Sequence, residues 1–95
     1  MLAGNPMEEN EFTYIARLWI DNDEYLYKEL RLAATTLSKT YPGDHTRCVS
    51  FLADTIRNML EDANPLSKPN IFTDLINHAL YAIDYRDIAE AFFEP

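Results

Sequence analysis

Leu18-Trp19-Ile20-Asp21-Asn22-Asp23-Glu24-Tyr25 is the stretch on which the fold turns. An apolar run closes on the single tryptophan of the chain, and an acidic corner follows at once. Asp21 stands where a carboxylate accepts from the unpaired first-turn amides of a following helix. Glu24, three positions on, completes a capping-box spacing with aspartate in the serine place. Asp23 and Glu24 also fall where the positive end of the helix dipole favours acid. The expectation is a first helix over Glu11 to Ile20, a second from about Asn22 to Lys39, and Trp19 packed into the angle between them. The step Asp21-Asn22-Asp23 also opens like a calcium loop. Leu26 then stands where that loop needs glycine, and Leu32 where it needs glutamate, which removes the calcium reading.

Outward from the corner the pattern stays helical. Phe12, Ile15, Ala16 and Trp19 fall at i, i+3, i+4 and i+7, so the spacing predicts that they form the buried stripe of the first helix. Leu26, Leu30, Ala33, Ala34 and Leu37 do the same for the second. Tyr41-Pro42-Gly43-Asp44 reads as a turn, with Asp44 capping a third helix over 45–63. Its expected core face is Cys48, Leu52, Ile56, Met59, Leu60 and Ala63, and Asn64-Pro65 stops it. Residues 64–69 hold two prolines and read as a connector. Asn70 caps a fourth helix with Phe72, Leu75, Ile76, Ala79 and Ile83 on one face, and Asp84 caps a fifth over about 85–93. No segment alternates with period two. The fold class predicted is all-α, a compact bundle or orthogonal array of about five helices. Residues 1–10 lack periodicity and are expected to be a flexible tail before a single domain over 11–95.

With 95 residues, folding buries about 60–65% of the unfolded surface, enough for one core. One cysteine excludes an intrachain disulfide and suits a reducing compartment. No apolar run is long enough to span a bilayer, so the expectation is a soluble, cytoplasmic protein. The charge is the unusual quantity: sixteen acids against eight bases give −8. Residues 1–41 carry seven acids and four bases, 42–69 four and three, and 70–95 five and one. This balance disfavours direct nucleic-acid or anionic-membrane binding and favours a basic protein surface.

Catalytic constellations are thin. His45 and His78 lie 33 positions apart and match no zinc spacing, Cys48 falls on a core face, and two glycines supply no phosphate loop. By elimination no enzyme, metal or cofactor is expected. Segregation on the last helix is sharper. Asp84, Asp87, Glu90 and Glu94 fall on one side, and Ile88, Ala89, Phe92 and Phe93 on the other, with only Arg86 interrupting. Such an acidic ridge imitates a nucleic-acid backbone, although eight net charges match only ~14 Å of duplex. A solvated outer face is the alternative. Tyr25, with Leu32 and Thr36, forms a second ridge on the second helix, while Phe51 and Tyr81 project off their own apolar faces. These aromatics are candidate anchors of a protein interface, and a homodimer is an alternative use of them.

Two stretches resemble a family of small helical proteins encoded by phages and other mobile elements. One is Phe12 to Tyr27, with its leucine–tryptophan pair, asparagine–aspartate step and tyrosines. The other is Phe72-Thr73-Asp74-Leu75-Ile76-Asn77-His78-Ala79-Leu80 through Ile83-Asp84-Tyr85-Arg86-Asp87-Ile88-Ala89-Glu90, similar to the closing segment of that group. Together they cover about 35 residues. Phe12-Thr13-Tyr14 stands where that group places a glutamate-threonine-tryptophan step. The resemblance implies an inhibitor of a host nucleic-acid-handling defence complex, of anti-CRISPR or anti-restriction type, acting in the host cytoplasm. Asp84, Asp87, Glu90 and Glu94, with Asp21, Asp23 and Glu24, are then expected to meet basic residues of the partner, a protein or nucleoprotein complex. Tyr25, Phe51 and Tyr81 supply apolar anchoring. The alternatives are an adaptor or homo-oligomerising domain with no defence role, and a small enzyme.

Overall fold

The computed structural model describes residues 10–64 and 70–94, and among them the protein is all-α with five helices. These are α1 (Glu11–Asn22), α2 (Glu24–Thr40), α3 (His45–Ala63), α4 (Ile71–Ala82) and α5 (Tyr85–Ala91). Of the tail expected over 1–10, residues 1–9 lie outside the described residues and Asn10 is instead the cap of α1; of the connector expected over 64–69, residues 65–69 lie outside them and Asn64 closes α3.

Each helix begins on a side-chain oxygen that satisfies an orphan first-turn amide. Asn10 accepts from the Thr13 amide, Asp23 from Leu26, Asp44 from Arg47, Asn70 from Thr73 and Asp84 from Asp87. The caps at Asp44, Asn70 and Asp84 are those read from sequence. At the corner the reading is corrected. α1 runs two residues further than expected, through Asp21 and Asn22, and Asp23 caps α2 in place of Asp21. Asp23 does two jobs there: its backbone N–H donates to Ile20 and Trp19 carbonyls while its carboxylate opens the next helix. A one-residue joint therefore suffices, and an Asp21–Glu24 capping box has no place in it. The turn at Tyr41-Pro42-Gly43-Asp44 closes with the Asp44 amide donating to the Tyr41 carbonyl at 3.1 Å. Gly43 sits at φ +77°, where a side chain is strained.

The core is built by four of the five helices. Ala16 and Ile20 come from α1, Leu30 and Ala34 from α2, Val49, Leu52, Ala53 and Ile56 from α3, and Ile88 and Ala89 from α5, closed by Phe92. α3 is the central element: α2, α4 and α5 all pack on it, and α5 most extensively. Cys48 is buried and its thiol donates to the Leu37 carbonyl at 3.4 Å. Of the expected face of α3, Cys48, Leu52 and Ile56 are buried, Met59 and Leu60 half-buried, and Ala63 exposed because it lies on the last turn. α4 contributes no fully buried side chain.

Two apolar faces read from sequence are corrected. On α1 the core takes Thr13, Ala16 and Ile20, and leaves Phe12, Ile15 and Trp19 outside. Trp19 is 73% exposed and does not fill the α1–α2 angle; Ile20, 1% exposed, does the burying at that end of α1. Both sets have helical spacing, and the choice between them falls to Thr13. Its hydroxyl accepts from the Asp84 amide at 2.8 Å and donates to Asn10 Oδ1 at 3.1 Å, while Asn10 Nδ2 donates to the Ala82 carbonyl at 3.0 Å. These bonds dock the start of α1 on the α4–α5 joint and fix its rotation. On α4, Ile76, Ala79 and Ile83 are half-buried as the spacing predicts, but Phe72 and Leu75 are exposed.

Candidate functional site

α5 carries the acidic side, and its local build follows the segregation in its sequence. Ile88, Ala89 and Phe92 are buried and Phe93 half-buried, which turns the acids outward. The helix is only seven residues long, so Glu94 lies beyond it, past the Phe92 cap, and is exposed. The expected extent to residue 93 is thus shortened, and the ridge is carried by Asp84, Asp87 and Glu90. The Asp84 carboxylate caps the helix at 3.0 Å from the Asp87 amide. Asp87 pairs with Arg17 of α1 at 2.9 Å. Glu90, half-buried, meets His45 at the start of α3, and the His45 ring stands edge-on to Phe93 at 6.1 Å.

Arg17 decides which of the other acids join this side. Asp21 follows it at i+4 on α1, within one turn on the same flank. The Arg17–Asp87 pair therefore sets the acidic side of α5 alongside the flank of α1 that carries Asp21. Asp23 and Glu24 are exposed at the corner, the first spent on capping and the second paired with Lys28 at 3.1 Å. Four of the bases are committed to acids of the chain itself: Arg17 to Asp87, Lys28 to Glu24, Arg47 to Asp44 and Arg57 to Asp54. The pairs of Lys28, Arg47 and Arg57 are solvent-facing and worth about 0–1 kcal/mol each, whereas Arg17 is half-buried.

Phe51 and Tyr81 line different grooves. Tyr25 is exposed on the outer side of α2. Phe51 stacks on Tyr41 at 5.5 Å and lines a shallow groove between α2 and α3 with Leu32 and Thr36. Tyr81, 90% exposed, borders a different groove with Asn58 and Glu61. By contrast Tyr27 is held in the fold, its ring 5.4 Å from that of Phe92. The residues that sequence reasoning missed are Arg17, His45 and Thr13, each acting across the fold on a partner 45 to 71 positions away. Asn10 immediately ahead of Glu11 was a legible start signal; the long-range partners left none.

Among the described residues no group of three or more His, Cys, Asp or Glu side chains is placed to hold a metal ion, and no helix is long and apolar enough to cross a membrane. Fold and surface together define a small all-α domain in which Asp87 of α5 pairs with Arg17 of α1. Compared with protein-family models, curated proteins and solved structures, the chain matches none.

Proposed function

We propose that this protein is an acidic protein-interaction module that binds a basic surface of a host nucleic-acid-handling defence complex, as a phage- or mobile-element-encoded inhibitor of anti-CRISPR or anti-restriction type. The observation that supports it most is the Arg17–Asp87 pair, which ties the acidic side of α5 to α1. The chain as a whole carries −8, and a basic groove is the surface such a field attracts. Lysines and arginines of the partner replace Arg17 as the counter-charge of Asp87 and His45 as the hydrogen-bonding neighbour of Glu90. Tyr25, Phe51 and Tyr81 are exposed aromatics available for apolar anchoring elsewhere on the surface. In this mechanism the chain contacts protein and no nucleic acid, and it performs no chemistry of its own.

The test is protection. The full chain is expressed in cells that carry an active CRISPR or restriction system directed at a plasmid, and plasmid survival is counted. The reading predicts survival with the native chain and loss of it with Asp87→Lys and Glu90→Lys combined. No protection in any system of either type contradicts it.

A further inference from the structure

We propose that the outer faces of α1 and α4 form a self-association surface, covered by the same surface of a second copy of this chain. α4 is rich in apolar residues, yet none of its side chains is fully buried. α1 packs on α4, and the pair leaves Phe12, Ile15 and Trp19 of one helix and Ile71, Phe72 and Leu75 of the other exposed. Exposures between 45% and 73% for these six make an apolar area on the order of 800 Å². A standard stable interface buries about 800 Å² per partner, an area of the same order.

Chemistry selects the occupant. None of the six carries charge, so a basic partner drawn by the acidic flank finds nothing to pair with here. A two-fold interface needs a patch that complements itself, which a neutral aliphatic and aromatic surface does. The acids are also out of the way. Arg17, which holds Asp87, is two positions from both Ile15 and Trp19, or about 200° around the helix. Pairing through the apolar side therefore leaves both acidic flanks facing solvent. This inference does not rest on the proposed function, and the two have opposite salt dependence. Two copies at −8 repel one another, so added salt strengthens the dimer, whereas it weakens binding to a basic partner.

Sedimentation equilibrium of the full chain, between about 1 and 200 µM at low and high salt, reads the mass, with Trp19 emission and acrylamide quenching recorded alongside. The expected result is twice the 11.0 kDa chain mass, favoured by salt, with Trp19 emission shifting to the blue and quenching falling several-fold as the dimer forms. Trp19→Glu and Phe72→Glu are expected to stay monomeric with helicity unchanged, since both side chains are exposed in the single chain; Thr46→Glu, exposed at the start of α3 and outside the surface, is expected to dimerise. A wild-type monomer throughout overturns the proposal. So does a dimer that survives both substitutions, or a monomer whose Trp19 is shielded by its own chain.

Discussion

The Thr13 hydroxyl accepts the backbone amide of Asp84 at 2.8 Å across 71 positions of sequence, and Thr13 is wholly buried. A single hydroxyl thus ties the first turn of α1 to the joint that launches α5. Thr13→Val keeps the shape and orphans the Asp84 N–H, a loss of about 1–3 kcal/mol. In a domain of this size each kcal/mol lowers Tm by roughly 4–8 °C. Thr13→Ser keeps the hydroxyl and should recover most of the loss. Thermal unfolding of the two variants checks this, and equal melting of Thr13→Val and wild type would show that the bond does not fix α1.

The corner gives a second prediction, and it reverses the reading from sequence. Asp23→Ala removes the α2 cap and should cost about 0.5–2 kcal/mol. Asp21→Ala, an exposed position on the last turn of α1, should stay within about 0.5 kcal/mol. Chemical denaturation of both variants separates them.

Tyr85 makes stability depend on alkaline pH. Burial, then the neighbouring Glu61 carboxylate, pushes its hydroxyl above the ordinary tyrosine value, against an opposing pull from Arg57. The neutral hydroxyl donates to the Leu80 carbonyl at 2.7 Å. A raised folded value means that the contribution is complete below the unfolded value of ~10 and is lost as pH climbs through the higher folded one. Tm of the wild type should therefore fall more steeply above about pH 10 than that of Tyr85→Phe. At neutral pH Tyr85→Phe should be about 1 kcal/mol less stable for the missing hydrogen bond.

Cys48 should be inert in the folded state. It is 3% exposed and its thiol is spent on the Leu37 carbonyl. Alkylation in buffer should be far slower than in denaturant, and labelling at equal rates would contradict the packing of α2 on α3.

Much of the fold was legible because its signals are local. Asp44, Asn70 and Asp84 announce helices within four residues of themselves, Pro42-Gly43 fixes a turn, and Leu30, Leu52, Ile56 and Ile88 repeat at helical spacing. What the spacing could not give was rotation. On α1 the stripe through Phe12 and Trp19 is as periodic as the one through Thr13 and Ile20, and more apolar. A polar residue won the interior because it alone could serve the Asp84 amide and Asn10 together. The acidic side of α5 was visible in its own seven residues, whereas its alignment with Asp21 depends on Arg17 reaching across the fold to Asp87. No one-dimensional pattern holds that contact.

Whether the acidic flank is a binding surface is decided by a tagged pull-down from host lysate at low and high salt, read by mass spectrometry. The expected result is a nuclease or surveillance complex recovered at low salt, lost at high salt, and lost at both with Asp87→Lys and Glu90→Lys combined. A partner held equally at both salt levels, or an eluate holding the tagged chain alone, contradicts it.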